Sequence, residues 1–147
     1  MTEVRRVSAS RAIDAPAETI FELIADPANQ PQWDGNDNLG RADEGQRVHA
    51  VGDVFVMHNS NGNVRENHVV DFEEGRVIAW RPSEVGGAMP GHEWRWEIKP
   101  LESGGAQVTH TYDWTDLRDE KRLVRARATG ADQLRASLDR LAALAES

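Results

Sequence analysis

From about Gln46 to Thr115 the chain alternates apolar and polar side chains with a period of two. Turn signals interrupt it at short intervals: Gly52-Asp53, Asn61-Gly62, Glu74-Gly75 and Ser103-Gly104-Gly105. Strands joined by such short loops can only be antiparallel neighbours, because a parallel pair needs a crossover of roughly a dozen residues or more. The middle of the chain is thereby committed to an antiparallel meander. Its one long break is "SEVGGAMPG", Ser83 to Gly91, which reads as a flexible loop.

The flanks carry other periods. Val4 to Asp14 alternates weakly through Val7, Ala9 and Ile13 and reads as a first strand. "DAPAETIFELIADP" follows, with Pro16 pre-set for the first helical position and Glu18 near the positive end of the helix dipole. Ile20, Phe21, Leu23 and Ile24 supply its apolar face. Asp26-Pro27 ends that helix and opens a second short one running to Trp33. From about Leu117 to Ala145 the helical period returns, with Leu134, Leu138, Leu141 and Ala145 on one stripe. Gly130 interrupts it, at about 1 kcal/mol relative to alanine; a bend, a close approach beneath it and chance each account for it.

With 147 residues the chain is expected to form one domain, 1–147, burying roughly two thirds of its unfolded surface. A net charge of −8 argues against a nucleic-acid binder, which needs a basic footprint. The locally basic run Arg118, Lys121, Arg122, Arg125, Arg127 reads as a solvated helix face. The absence of cysteine excludes disulfides, thiolate metal sites and a cysteine nucleophile. No apolar run approaches a membrane span, and "MTEVRRVSAS" lacks the apolar core of a signal peptide, so a cytoplasmic location is expected.

Loop length decides which side chains share a face. Asn61-Gly62 as a two-residue turn sets Asn59 opposite Val64, Met57 opposite Glu66 and Phe55 opposite His68. Ser103-Gly104-Gly105 as a three-residue loop sets Trp96 opposite Tyr112, Trp94 opposite Trp114 and Ile98 opposite His110. Glu73-Glu74-Gly75, treated likewise, sets Trp80 beside His68 and Ile78 beside Val70. One concave face then collects Phe55, Met57, Val70, Phe72, Ile78, Trp80, Trp94, Trp96, Ile98, Tyr112 and Trp114, with Asn59, Glu66, His68 and His110 among them. A packed core avoids a carboxylate and two imidazoles, since each buried polar group must find a partner. A small-molecule cavity has this composition. Trp94 and Trp96 are read as its wall, and Leu134 as its contact from the last helix.

Strand, two short helices, six-strand meander and long C-terminal helix is the order of the helix-grip fold. "IDAPAETIFELIADPANQPQWD", Ile13 to Asp34, resembles the N-terminal signature of the polyketide cyclase/dehydrase and lipid-transport family, within the START and birch-pollen-allergen-like (SRPBCC) superfamily. "VGDVFVM", "VIAWRP" and "WRWEIKPLESGGAQVTHTYDW" fall where members of that family have them. The resemblance implies an α+β fold: a curved antiparallel sheet of about seven strands around a long C-terminal helix, with a hydrophobic cavity between. It implies ligands such as lipids, sterols, polyketides or plant metabolites, and in some members ring closure and dehydration of poly-β-ketone chains. It carries no invariant catalytic motif.

Were the chain a cyclase or dehydratase, aldol closure would need a base and an oxyanion donor. His110 and Tyr112, about 7 Å apart along one strand face, are the first candidates. His68 with Glu66 is the second pair, although Glu66 is equally placed for an ion pair with Arg11. No metal-binding spacing joins Glu66, His68 and His110, and serine-triad, phosphate-loop and dinucleotide motifs are absent, so no cofactor is expected. The readings are a binder of a hydrophobic or aromatic small molecule, an aromatase/cyclase/dehydratase, or a regulatory interaction protein without a ligand. The expected assembly is a monomer or homodimer.

Overall fold

The computed structural model describes residues 3–147. Seven strands form one antiparallel sheet: β1 (Arg6–Ile13), β2 (Leu39–Arg41), β3 (Val54–Asn59), β4 (Val64–Glu73), β5 (Val77–Glu84), β6 (Glu93–Pro100) and β7 (Ala106–Asp113). Their order is β1-β7-β6-β5-β4-β3-β2, a meander closed at one edge by the first strand. The concave side packs on α1 (Ala17–Ala25), α2 (Gln30–Trp33) and the long α4 (Ala131–Ala145), while α3 (Glu120–Ala128) lies across one end. This is the helix-grip arrangement. Among the described residues no helix is long and apolar enough to cross a membrane.

The helices follow from local chemistry. Pro16 takes the cap position of α1 rather than its first turn, and its carbonyl receives Thr19 and Ile20 N–H. Ile20, Phe21, Ile24 and Ala25 are buried against the sheet. The carbonyls left open at its C-terminal end are taken by side chains from α2: Gln30 Nε2 donates to Ile24 O at 3.0 Å and Trp33 Nε1 to Leu23 O at 2.8 Å. At the far end the helical stretch is broken, not continuous. Thr129 ends α3, and Gly130 begins α4 in extended conformation, its N–H received by Gln133 Oε1 at 2.8 Å. Nothing but the Gln133 side chain approaches Gly130, so the glycine marks a bend and not a close packing contact.

The meander differs from expectation in its registers. The turn at Asn61-Gly62 holds three residues, with Asn59 N–H bonded to Asn63 O and Gly62 at φ +91°. Hence Met57 pairs with Arg65, Phe55 with Asn67 and Val54 with His68. This one-residue slip exchanges the faces of β4, so Arg65, Asn67 and Val69 turn inward while Glu66 and His68 turn outward. A bulge between Val69 and Asp71 leaves Val70 without a cross-strand partner and restores Phe72 to the inner face, opposite Ile78. Trp80 accordingly pairs with Val69, not His68. The β6–β7 hairpin also slips, but by two residues: Trp94 pairs with Tyr112, Trp96 with His110 and Ile98 with Val108. An even slip leaves every face as expected.

Two further differences concern chain ends of the meander. The segment before Gly52-Asp53 is not a strand. Asp53 instead receives His49 and Ala50 N–H in a tight side-chain turn, and Gln46 bonds both Val56 N–H (2.7 Å) and Val56 C=O (3.1 Å), supplying the edge of β3 with a side chain in place of a strand. The loop expected from Ser83 begins later, since Ser83 and Glu84 still belong to β5.

Candidate functional site

Curvature of the sheet separates its inner face into two regions. Toward α1 the side chains interlock: Phe72 meets Phe21 edge-on at 5.7 Å, and Ile78, Ile98, Leu134 and Leu138 are buried in the same cluster. Toward the α3–α4 bend they do not meet, and a cavity of about 320 Å³ remains. Its walls are Trp80, Trp94, Trp96, Tyr112 and Met57 from the sheet, Trp33 and Asp34 from α2 and its end, and Gln133 and Ser137 from α4. A smaller annex of about 70 Å³ shares Arg65, Pro82, His92, Tyr112 and Arg125 with it and runs beneath α3.

The aromatic wall is ordered by the register of β6 and β7. The His110 ring stacks on Trp96 at 3.7 Å and 13°, and Trp94 lies near-parallel to it at 5.7 Å and 20°. Tyr112 lies against Trp94 at 4.2 Å, and Trp33 meets Trp96 edge-on at 5.1 Å. His110 is 3% exposed, and its Nδ1 donates to Arg95 O at 2.9 Å. That bond fixes the tautomer and leaves Nε2 with a lone pair. Burial pushes its pKa down to about 4, so near neutral pH the ring is an uncharged acceptor. Burial also pushes the Tyr112 phenol up to about 12, keeping it a donor.

Buried polar atoms at the wall lack partners. Trp96 Nε1 and His92 Nδ1 are fully enclosed with no hydrogen bond. Each such group costs about 1–3 kcal/mol if nothing ever satisfies it. The floor, in contrast, is fully bonded: the Asp34 carboxylate receives Asn36, Asn38 and Leu39 N–H, and Ser137 Oγ receives Gly35 N–H at 2.8 Å.

Of the residues singled out from sequence, Met57, Asn59, Trp80, Trp94, Trp96, His110 and Tyr112 line this one cavity. Phe55 stands behind it, edge-on to Trp80 at 5.3 Å. Phe72, Ile78, Ile98 and Leu134 lie in the packed region, and Trp114 sits under the Arg5 and Arg127 guanidiniums. Val70 is in the bulge, away from the cavity. Glu66 and His68 are on the convex side, where Glu66 receives Gly86 N–H at 2.7 Å and His68 Nε2 bonds Ser83 Oγ at 2.9 Å. They are therefore not a second acid–base pair facing His110. Arg11 pairs with Asp139, not Glu66. Among the described residues no group of three or more His, Asp or Glu could hold a metal.

The sequence reading missed Trp33, Asp34, Arg65, Asn67, His92, Arg125, Gln133 and Ser137. For Arg65 and Asn67 the parity of β4, correctly counted from a three-residue turn, would have found them. His92 shares the phase of Trp94 and Trp96, and that signal was present in the sequence.

A family profile described as polyketide cyclase / dehydrase and lipid transport matches residues 4–146. An uncharacterised protein of Mycobacterium tuberculosis is 31% identical over 111 residues, covering 74% of this chain and 47% of that protein. The chain thus spans about half the length of the curated relatives it matches. A solved Mesorhizobium loti protein superposes with a TM-score of 0.69 at 18% identity, covering 97% of each chain. The Zhui aromatase/cyclase of a Streptomyces species superposes with a TM-score of 0.67 at 18% identity, covering 98% of this chain and 94% of its own. At these identities the likeness establishes the fold.

Proposed function

The chain belongs to the polyketide cyclase / dehydrase and lipid transport family, and on that premise we propose that it binds a hydrophobic or aromatic small molecule in the cavity between sheet and α4. The observation that carries this reading is the unfilled space of about 320 Å³ bounded by Trp80, Trp94, Trp96 and Tyr112. A half-open pocket of this size, walled by indoles with a few polar groups among them, is the form of a ligand site. The Asn59 and Gln133 side chains add polar groups among the apolar walls.

A second reading, acid–base catalysis of ring closure, is favoured by one observation: His110 and Tyr112 offer an acceptor and a donor on the same wall. Its weakness is chemical. An imidazole held near pKa 4 is in the right protonation state but is a poor base, since proton-transfer efficiency follows basicity. Binding is therefore the conclusion, with catalysis secondary.

Native mass spectrometry of the purified protein and titration of its tryptophan fluorescence with a naphthalene probe test the reading. A retained guest, or saturable quenching that is lost in Trp94→Ala, is the expected result. No guest and no quenching would remove the cavity from consideration.

A further inference from the structure

Resting on the reading of the cavity as a binding site, we propose that the guest is an acid: its carboxylate sits in the annex beneath α3, between Arg65 and Arg125, and its apolar body lies against Trp94 and Trp80. The annex is lined by Arg65, Arg122 and Arg125 with His92, Tyr112, Ser83 and apolar residues, and by no carboxylate. In the larger cavity the one acidic wall residue is Asp34, whose oxygens already accept three backbone N–H groups.

Arg81 is matched by Glu93 and Asp116, Arg122 by Glu84 and Asp119, Arg95 by Asp71 and Glu93, and Arg47 by Glu22 and Glu74. Among the described residues Arg65 and Arg125 enter no ion pair. Arg6, Arg76, Arg118 and Arg135 are also outside the ion pairs, but of the arginines without one only Arg65 and Arg125 line the cavity or its annex. Acidic residues outnumber Lys and Arg by 25 to 17, so carboxylates are not scarce. Two unmatched guanidiniums facing one small space leave a local positive field in an acidic protein. His92 registers that field. After burial, Arg122, Arg65, Arg81 and Arg125 are what hold it down to about 4, and its enclosed Nδ1 has no partner.

Size separates the two ends of the guest. The annex, about 70 Å³, is less than a quarter of the main cavity of about 320 Å³, so the smaller end of the guest is assigned to it. The main cavity accepts a bicyclic body. Arg65 from β4 and Arg125 from α3 approach from different elements, so a carboxylate bridging them would also fasten α3 to the sheet. Charge-assisted hydrogen bonds are among the stronger polar contacts a site can offer, and here they would come from a half-buried Arg65 and an exposed Arg125.

The test is calorimetric titration of the whole protein with naphthalene-2-carboxylate, the isosteric naphthalene-2-carboxamide and 2-naphthyl phosphate. The carboxylate should bind about tenfold or more tightly than the carboxamide. That advantage should shrink as salt is raised and fall below about threefold in the R65Q/R125Q double variant. Equal affinity of acid and amide overturns the carboxylate site while leaving the cavity reading intact. Binding of none of the probes overturns both. Tighter binding of the phosphate overturns the choice of carboxylate. Because acid and amide are compared on the unaltered protein, a variant that fails to fold does not rescue the idea.

Discussion

Replacing His110 by glutamine isolates one buried neutral ring from the rest of the acid response. The imidazole is 3% exposed and stacked on Trp96, and burial holds it at about 4 against the ordinary 6.5. A base with a depressed folded pKa stays neutral in the native chain while the unfolded chain takes up a proton. Its contribution to stability is therefore complete above about pH 6.5 and is lost progressively as the pH falls toward 4. At pH 5 the unfolded ring is favoured by about 1.5 pH units, or about 2 kcal/mol at roughly 1.36 kcal/mol per unit. His92 carries a shift to about the same value but is less deeply buried, so it adds at most as much again. Urea melts at pH 7.5 and pH 5.0 should show the unaltered protein losing about 2 kcal/mol more than His110→Gln, whose own remaining loss through His92 is at most about 2 kcal/mol. Glu3, Asp37, Glu74 and Asp119 all have lowered pKa values through their arginine partners, and their contribution fades only below about pH 4.5, outside this window. An identical loss in both proteins would refute the burial of a neutral His110.

Three other substitutions read the supports of the cavity. In Gly35→Ala the new Cβ would stand 2.5 Å from Gln133 O and 2.6 Å from Ser137 N, so an overpacking cost of about 1–3 kcal/mol should lower the thermal melt by several degrees; an unchanged melt would show that α4 yields without strain. Asp34→Ala removes the acceptor for three backbone N–H groups, and chemical denaturation should report a loss of about 3 kcal/mol together with weaker probe binding. Gln46→Ala should speed hydrogen exchange at the Val56 amide by about tenfold or more while costing about 1 kcal/mol globally; slow exchange would mean that the side chain is not the partner that protects this edge.

How much of this was readable in advance depended on parity. The period of two and the glycines placed the β6–β7 hairpin on the right face even though its partners were displaced, because the slip was even. Trp94, Trp96, His110 and Tyr112 were therefore legible as neighbours. At Asn61-Gly62 the same dipeptide serves a two-residue turn or the end of a three-residue one. The chain uses the second, with Gly62 at φ +91°, and the odd slip carried Glu66 and His68 outward. The bulge at Val70 had no local signal, since it serves Phe72 and its contact with Phe21 across the fold. Trp33, Asp34, Gln133 and Ser137 were hidden for a similar reason. They reach the cavity through the docking of α2 on α4, which no periodicity within either helix records.

The single concave surface is governed by two regimes of tolerance. Where Phe21, Phe72 and Ile78 interlock, every trimmed methylene leaves a hole, and truncations are expected to cost about 2–5 kcal/mol. A few strand positions away, trimming the half-buried Trp94 or Asn59 widens a room that already exists. Divergence can therefore recut the guest's outline at one end of β6 and β3 while the other end keeps the molecule folded. Relatives with the same backbone are free to hold differently shaped molecules, and the residues worth comparing among them are those at the α3 end.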